Sequence, residues 1–507
     1  MTNLTKSIPV GYTAITTISC LAFIVISHLL WVPTLIWGIV EYQAWLTLQG
    51  LTTYQILFDY NMPLGPWITA IFFLVFGTSS QTITLIIIVI CSVTAILIYK
   101  AGREFHEPYI GLVAMSLWAL WAPAFKSHQY ERTLILTPFL IASLIYFHRA
   151  LKGEKEVSNL LVSGMLLGCA CLIKQHSIIV AIAALPGFLL ALSKNETSAL
   201  KRILTFGLGI FLPGAIVGLY LGAKVGFAQL WYLLVEIPLF HLHVVTWNEI
   251  PLFIVILLSP LFFISAPTLF YVLPNHSSNK AQILSSCLIT LWGLGAGFSI
   301  LHNLRIELLL PALPFLCLAA AHIIVSVIRD LFANLSKNPG HMWQINNGWS
   351  PSQTLSATMS IVMAGLSFIS LTYFHGWGRP FDDYLSTKMN LWNQSGEWVR
   401  INTPQDKKLF VFGPPAVYFR AKREPATPFI YLESAERNFP NLEDSIIYYL
   451  NQEPLAGIVY SPVPHVPYDK IHWDNHWPYN KKVDTFIQKN YRVEVHLPGD
   501  LVYMVRK

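Results

Sequence analysis

Residues 41–66 read EYQAWLTLQGLTTYQILFDYNMPLGP and lie between two long apolar runs, residues 11–36 and 81–99. The stretch places two carboxylates, Glu41 and Asp59, beside segments that are apolar enough to be membrane helices. A carboxylate held at a membrane surface is costly unless a partner or a reaction makes use of it. The stretch therefore indicates chemistry on a lipid-linked molecule at the membrane face.

The composition of the whole chain indicates a membrane protein. Only 12% of the 507 residues are charged and the mean hydropathy is +0.52, whereas soluble proteins carry about 25% charged residues. Many apolar runs approach the roughly 20 residues that a helix needs to cross a bilayer. Because lipid cannot satisfy backbone polar groups, we expect a polytopic α-helical membrane protein with about 11–13 transmembrane helices.

The predicted spans are residues 11–36, 81–99, 108–122, 132–148, 159–173, 176–192, 203–222, 251–272, 284–300, 306–328 and 354–373. The apolar stretch 64–78 is short and starts with prolines. It is interpreted as a re-entrant helix, an interfacial helix or part of a true span, and these alternatives stay open. The net charge of +6 is small and no long basic block is present, so nucleic acid is not an expected partner.

Basic residues in short loops predict the orientation of the chain. With a cytoplasmic N-terminus, they gather in alternate loops on the inside: Lys6; Lys100 and Arg103; Arg149, Lys152 and Lys155; Lys194, Lys201 and Arg202; Lys280; Arg329 and Lys337. The first outer loop, residues 37–64, is then extracytoplasmic, and so is the C-terminal region. We expect a multi-pass protein of a bacterial inner membrane with a periplasmic or otherwise extracytoplasmic C-terminal domain.

The C-terminal quarter has a different composition. Residues 374–507 carry 16 of the 33 Lys and Arg residues and 15 of the 27 Asp and Glu residues. We therefore divide the chain into a transmembrane domain, residues 1–373, and an outer domain, residues 374–507. Short apolar runs predict strands at 408–413, 455–460, 491–496 and 501–506, and helical patterns fit 441–451 and 483–490. Together these elements predict a small α/β domain.

Several motifs resemble the GT-C superfamily of membrane glycosyltransferases, in particular the bacterial branch similar to protein O-mannosyltransferases and the lipid A aminoarabinose transferase. Residues 48–64, with Tyr54, Asp59 and a Pro-Leu helix start, resemble the first outer loop of that family. Gln129-Tyr-Glu131 resembles the acidic position of the second outer loop. Gly168 to His176 resembles a Lys-Gln segment, and Leu301 to Pro314 resembles the late segment before a Leu-Pro-x-Leu-Pro helix. Each motif is degenerate, and their order along the chain carries the resemblance.

One departure from the family pattern concerns the catalytic acid. In the family it usually heads the first outer loop as part of an Asp-Glu pair, but this chain has Trp37 and Gly38 there. The nearest carboxylate is Glu41, which we interpret as the general base. Asp59 matches a family position that is not usually the base, and both carboxylates are candidate catalytic residues. In the alternative interpretation, Glu41 and Asp59 are interfacial carboxylates that cap short helices.

The resemblance implies that Lys174 and Arg305 bind the phosphate of the donor, because phosphate groups call for fixed cations. The alternatives are an interfacial lysine that snorkels to the surface and an arginine in an intramolecular salt bridge. Further candidate site residues are Tyr54, His128, Glu131, Gln175 and His302. His128 and Glu131 alone do not make a metal site, so a divalent metal is left open and no other cofactor is assigned.

The resemblance further implies the reaction: transfer of a sugar from a polyprenyl-phosphate donor to an acceptor hydroxyl at the outer face, with inversion. The acceptor is a glycan, a lipid or a protein, and the chain does not name the sugar. The residues alone leave two other functions open. One is a flippase or transporter of lipid-linked sugars, and the other is a glycan polymerase or ligase that uses a diphosphate-linked donor.

Overall fold

The computed structural model describes residues 10–31, 38–123, 125–191, 196–240, 280–297, 309–337, 386–430, 441–452, 455–461 and 481–507. The chain divides into two compact units. The first unit comprises residues 1–32, 84–217 and 243–380, and the second comprises residues 33–83, 218–242 and 381–507.

The helices are, in chain order, α1 (Val10–Ile26), α2 (Ile39–Leu48), α3 (Thr53–Ile56), α4 (Leu64–Phe76), α5 (Ser80–Phe105), α6 (Pro108–Trp121), α7 (Arg132–Leu151), α8 (Glu156–Cys171), α9 (Ile178–Ala191), α10 (Glu196–Val225), α11 (Phe227–Trp231), α12 (Ile237–Phe240), α13 (Lys280–Gly297), α14 (Leu313–Lys337), α15 (residues 386–402), α16 (Ala416–Ala421), α17 (Leu442–Gln452) and α18 (Lys481–Asn490). The strands are β1 (Lys408–Phe412), β2 (Leu455–Tyr460), β3 (Tyr491–Leu497) and β4 (Leu501–Arg506).

Apolar helices occupy the predicted spans where the structure describes them, except that residues 309–312 of the span predicted at 306–328 form a turn and the helix begins at Leu313. Among the described residues, Ser80–Phe105, Arg132–Leu151 and Ala199–Val225 are long and apolar enough to cross a membrane, and shorter apolar helices accompany them. The predicted spans at 251–272 and 354–373 lie outside the described residues. The short stretch at 64–78 forms α4, which ends before Gly77.

Helices of the first unit approach each other closely through glycine. A Cβ atom added to Gly164 on α8 would lie 2.9 Å from the Cα atom of Gly209 on α10, and one added to Gly209 would lie 2.5 Å from the carbonyl oxygen of Leu161. Small residues at such crossings let backbones touch, which is how helices associate without a hydrophobic driving force in lipid. On α7 and α8, the hydroxyls of Ser143 and Ser163 each donate to the other's carbonyl oxygen, at 3.0 and 2.8 Å.

The α8–α10 contact gives a prediction about stability. We expect Gly164→Ala to lower the free energy of unfolding by about 1–3 kcal/mol, because the added methyl group meets backbone that cannot move aside. Gly207→Ala on α10 is the matched control, since a Cβ atom there has nothing within 4 Å. Thermal unfolding in detergent measures both, and equal midpoints for the two variants would contradict the close packing.

The outward face of α10 is apolar. Leu204, Leu208, Phe211 and Leu219 expose 57–68% of their surface and lie along one side of the helix. A contiguous exposed apolar stripe on a water-soluble surface would be costly. We therefore interpret this stripe as a surface that contacts lipid.

The second unit contains a four-stranded sheet of order β1-β2-β4-β3. β1 pairs with β2 in parallel, and β4 pairs antiparallel with both β2 and β3. Helices α17 and α18 cover the sheet with an apolar core whose buried members include Phe410, Ile446, Ile458, Ile487 and Met504. The predicted strands and two helices of this region are confirmed within one or two residues of their predicted ends.

The second unit also contains the segment predicted as the first outer loop. The backbone nitrogen of Phe58 donates to the carbonyl oxygen of Pro428 at 2.8 Å, and the ring of Phe58 stacks on Phe429 with centroids 5.6 Å apart. The ring of Phe73 on α4 likewise stacks on Phe419 of α16 at 5.7 Å. These contacts hold residues 38–83 against the sheet-containing region. The boundary of the transmembrane domain at residue 373 stays a prediction.

Candidate active site

Glu41 lies in the first turn of α2 and is 1% exposed. The sequence predicted a loop at this position, whereas the structure has a helix of ten residues. A helix N-terminus carries partial positive charge, so a carboxylate in the first turn is favoured there. The helix therefore gives the carboxylate a fixed position that a loop would not.

The start of α2 depends on Gly38. Its φ of +88° lies in the left-handed region, and its carbonyl oxygen accepts the first helical hydrogen bond from the nitrogen of Tyr42 at 2.9 Å. A Cβ atom at position 38 would lie 2.6 Å from the backbone nitrogen of Ala416 and 2.9 Å from the carbonyl carbon of Pro415. Only glycine combines this backbone conformation with this approach, and it fixes α2 against α16 three residues before Glu41.

The side chain of Tyr42 also fixes this first turn of α2. Its ring stacks on Tyr418 with centroids 5.3 Å apart, and its hydroxyl donates to the carbonyl oxygen of Arg423 at 2.7 Å. Burial raises the pKa of the Tyr418 phenol, whose oxygen accepts from the nitrogen of Val411 at 2.9 Å. Both phenols therefore stay neutral near pH 7 and act as structural hydrogen-bonding groups.

Asp59 lies within a hydrogen-bonded framework that includes α2. Its Oδ2 accepts from Nε2 of Gln43 at 2.5 Å, and its Oδ1 accepts from the backbone nitrogen and the side-chain amide of Asn61 at 3.1 and 2.7 Å. The hydroxyl of Tyr54 donates to the carbonyl oxygen of Asn61 at 2.6 Å. Asp59 and Tyr54 thus belong to one framework with Gln43, two residues after Glu41 on α2, and Asp59 accepts three hydrogen bonds in it.

Arg420 is a cation on α16, the helix that approaches the start of α2. Its Nε donates to Oδ1 of Asn393 at 3.1 Å and its Nη2 donates to the hydroxyl of Ser80. Burial lowers the pKa of the Arg420 guanidinium, and the carboxylates of Glu397 and Glu41 partly offset that effect. Neither Arg420 nor Gln43 was predicted from the sequence, because their partners lie far away in the chain or carry no recognisable motif.

The other described candidates belong to the first unit. His128 is buried in the segment between α6 and α7, next to Ser127, whose hydroxyl contacts Nε2 of His28 at 3.2 Å. Glu131 is half-buried and is the N-cap residue directly before α7.

Lys174 and Gln175 stand between α8 and α9. Lys174 is half-buried, and its backbone nitrogen donates to the carbonyl oxygen of Ala170 at 2.9 Å. A 3₁₀ turn at Gln175–Ser177 follows it. The lysine therefore stands at a helix end rather than in the middle of a span, which fits either a phosphate contact or an interfacial lysine.

His302 and Arg305 lie outside the described residues, so their predicted roles stay predictions. Among the residues that the structure describes, no group of three or more His, Cys, Asp or Glu side chains is arranged to hold a metal ion. Metal dependence therefore stays open.

Comparison with known proteins identifies the fold. Residues 61–220 match the family described as dolichyl-phosphate-mannose-protein mannosyltransferase. ArnT from Cupriavidus metallidurans bound to undecaprenyl phosphate superposes with a TM-score of 0.57 at 12% identity, over 98% of both chains. The chain has the GT-C fold. The archaeal oligosaccharyltransferase AglB from Archaeoglobus fulgidus, in complex with an inhibitory peptide and a dolichol-phosphate, gives a TM-score of 0.54 at 13% identity over 89% of this chain and 69% of AglB.

No curated protein sequence matches the chain. The family match covers less than half of the chain, and ArnT and AglB are 12% and 13% identical to it, so the comparisons establish the fold. The predicted resemblance and the predicted fold class, a helical membrane protein with a small C-terminal α/β domain, are confirmed. At these identities the likeness to solved structures concerns the fold, and the donor, the acceptor and the site residues need separate arguments.

Proposed function

We propose that the protein transfers a sugar from a polyprenyl-phosphate donor to an acceptor hydroxyl at the outer face of the membrane. The acceptor oxygen attacks the anomeric carbon while the bond from that carbon to the phosphate oxygen breaks. The electron pair stays on the departing phosphate, which is already ionised and needs no strong general acid. Direct displacement inverts the anomeric carbon.

The observation that carries the proposal is a buried carboxylate on a rigid helix start in a GT-C fold. Glu41 receives the proton of the acceptor hydroxyl, and the start of α2 holds its buried carboxylate in place for that role. The related ArnT and AglB structures contain undecaprenyl phosphate and dolichol-phosphate, which supports a lipid phosphate as the leaving group here. Lys174 and Arg305 are proposed to bind that phosphate.

Asp59 is proposed to support the base rather than replace it. Because it already accepts three hydrogen bonds, we expect Asp59→Asn to disturb the framework around α2 without removing the base. The expected result is a fall in the transfer rate of about tenfold, since one buried acceptor is exchanged for a donor. Transfer rates of this variant check the prediction. Asn61→Ala removes one of the same hydrogen bonds and is measured beside it. A rate below detection for Asp59→Asn alone would make Asp59 the base.

The proposed function is tested on purified protein in lipid nanodiscs. A panel of polyprenyl-phosphate sugars is supplied with a crude acceptor extract, with and without divalent metal, and release of free polyprenyl phosphate is measured. We expect release from one donor, and a rate lowered by Lys174→Ala. Release of a polyprenyl diphosphate would indicate the polymerase or ligase instead. Movement of intact donor across the bilayer without release would indicate the flippase.

A further inference from the structure

Two basic side chains at the end of α16 contact the turn between α4 and α5. Nη2 of Arg420 donates to the hydroxyl of Ser80, and Nζ of Lys422 donates to the hydroxyl of Thr78 at 2.7 Å. Nε of Arg420 also donates to Oδ1 of Asn393 at 3.1 Å. All three acceptors are neutral, and within the described part of the chain neither cation forms an ion pair with a carboxylate. These hydrogen bonds therefore fix the two positive charges without neutralising them.

The charges around this turn are positive in balance. Burial lowers the pKa of the Lys422 ammonium, and the cations Arg400 and Arg420 lower it further. Glu397 offsets part of that effect and, like Glu41, acts on Arg420. Glu397 is itself bound by Nε and Nη2 of Arg400, at 2.9 and 2.5 Å. An additional anion beside Arg420 and Lys422 would therefore be stabilised.

Both side chains keep donors for a further ligand. A guanidinium and an ammonium carry more N–H groups than these hydrogen bonds use. Both side chains are half-buried, and none of their nitrogen atoms belongs to the buried polar atoms without a partner in the described residues. The remaining N–H groups of Arg420 and Lys422 are therefore open to solvent, where the oxygen atoms of an anion can reach them.

The turn lies at one end of a predicted membrane span. Helix α5 starts at Ser80 and is long and apolar enough to cross a membrane. Residues 80–99 carry no charged side chain and Lys100 is the first charge in the helix, so the apolar part matches the roughly 20 residues that a span needs. Ser80 therefore lies at the boundary of the hydrocarbon, and the cation that binds its hydroxyl lies at the level of the lipid head groups.

Helix α4 leads into this turn with one apolar face exposed. Ile71, Leu74 and Val75 expose 62–76% of their surface. The opposite face is packed, since the ring of Phe73 stacks on Phe419 with centroids 5.7 Å apart. The 13 residues of α4 are about 20 Å long and cannot cross a hydrocarbon layer of roughly 30 Å. An exposed apolar face beside the start of a span is suited to contact acyl chains.

We propose that Arg420 and Lys422 bind the phosphate of an anionic phospholipid, whose acyl chains lie against the exposed face of α4. Hydrogen bonds between a cation and a phosphate are stronger than those to the neutral hydroxyls of the turn. The site attaches the C-terminal domain to the membrane surface. It uses other residues than the proposed donor site at Lys174 and Arg305, and it does not depend on the proposed function.

The test is lipid binding by the full-length chain in detergent, measured by native mass spectrometry. Phosphatidylglycerol and phosphatidylcholine of equal chain length are titrated separately. We expect one phosphatidylglycerol to bind more tightly than phosphatidylcholine. The double variant Arg420→Gln, Lys422→Gln should weaken phosphatidylglycerol binding about 25-fold, because each basic residue near an anionic lipid contributes about fivefold. Its binding of phosphatidylcholine should stay unchanged.

The double variant Lys489→Gln, Arg492→Gln is the matched control. Both residues are exposed in the C-terminal domain, and their replacement removes the same charge. We expect phosphatidylglycerol binding within about twofold of wild type, as for a surface substitution. Equal weakening by the two double variants would indicate a general effect of charge and would overturn the proposal.

A single variant covers the case in which the double variant at α16 does not fold. Lys422→Gln removes one cation and leaves the contacts of Arg420 in place. We expect phosphatidylglycerol binding to weaken about fivefold, and Lys422→Arg, which keeps the charge, to restore most of it. A folded Lys422→Gln protein with the affinity of wild type would contradict the site, because the lysine would then only fix the turn.

Two competitors identify the source of the phosphate. Inorganic phosphate lacks acyl chains, and we expect no displacement of phosphatidylglycerol at equal concentration. Displacement would indicate a site for a soluble anion. Undecaprenyl phosphate should compete no better than phosphatidylglycerol, and a clear preference for it would assign the two cations to the donor. Either result would overturn the proposal. Because the assay measures binding, wild type that binds the lipid but transfers no sugar would contradict only the proposed function.

Discussion

Replacing Glu41 by Gln is expected to lower the rate of sugar transfer by at least about 100-fold, because the amide has the shape of the carboxylate but cannot accept the proton. The fold should persist, since the substitution removes a buried charge without changing the packing volume. The rate of polyprenyl phosphate release measures the first effect, and the midpoint of thermal unfolding in detergent measures the second.

Glu494→Gln is the matched control for this prediction. Glu494 is exposed on β3, so the same chemical change should leave the rate within about twofold, as expected of a surface substitution. Glu41→Asp keeps a carboxylate but withdraws it by one methylene group, and it should retain more activity than Glu41→Gln. Normal transfer by a folded Glu41→Gln protein would remove Glu41 as the base, and Asp59 and Glu131 would then be tested in the same way.

Gly38→Ala has the second large expected effect. Alanine at position 38 would have to adopt a left-handed backbone conformation, and its methyl group would lie 2.6 Å from the backbone nitrogen of Ala416. We expect a loss of about 3 kcal/mol in stability from the two causes together. A displacement of α2 by about 1 Å would also misplace Glu41, and misplacements of that size cost about 100-fold in rate. Unfolding curves and transfer rates measure the two effects.

Gly50→Ala separates the two causes. Gly50 also has a positive φ, +77°, but a Cβ atom there has nothing within 4 Å. We expect this control to lose only about 1 kcal/mol from backbone strain and to keep most of its activity. Equal losses in both variants would mean that backbone conformation, and not the contact between α2 and α16, explains the requirement at position 38.

Much of the fold follows from local patterns in the sequence. The strands at 455–460 and 501–506 and the helix at 483–490 could be predicted because alternating or helical apolar spacing reports directly on burial. The conformation of residues 39–48 could not be predicted as a helix, because α2 has apolar and polar residues without a clear helical face. Its helix is stabilised by packing on α16, more than 360 residues later in the chain, and no local pattern reports on that contact.

The site was predicted in part. Glu41 was selected because it is the carboxylate nearest to the family position, and the structure gives it a buried place in the first turn of a helix. Its role stays a proposal. Gln43 and Arg420 were missed, since an amide and an arginine without a motif give no signal until the fold brings their partners together. Gly38 had a signal, because a glycine replaces an expected acid three residues before Glu41.

The anomeric configuration of the product tests the central claim most directly. Wild-type protein is supplied with one polyprenyl-phosphate sugar of defined anomeric configuration, and the configuration of the glycoside formed is determined by NMR. A base that activates the acceptor for direct displacement predicts an inverted product, together with one polyprenyl phosphate for each sugar transferred. A product with retained configuration would contradict the account, because it requires a covalent sugar–enzyme intermediate and a nucleophilic carboxylate.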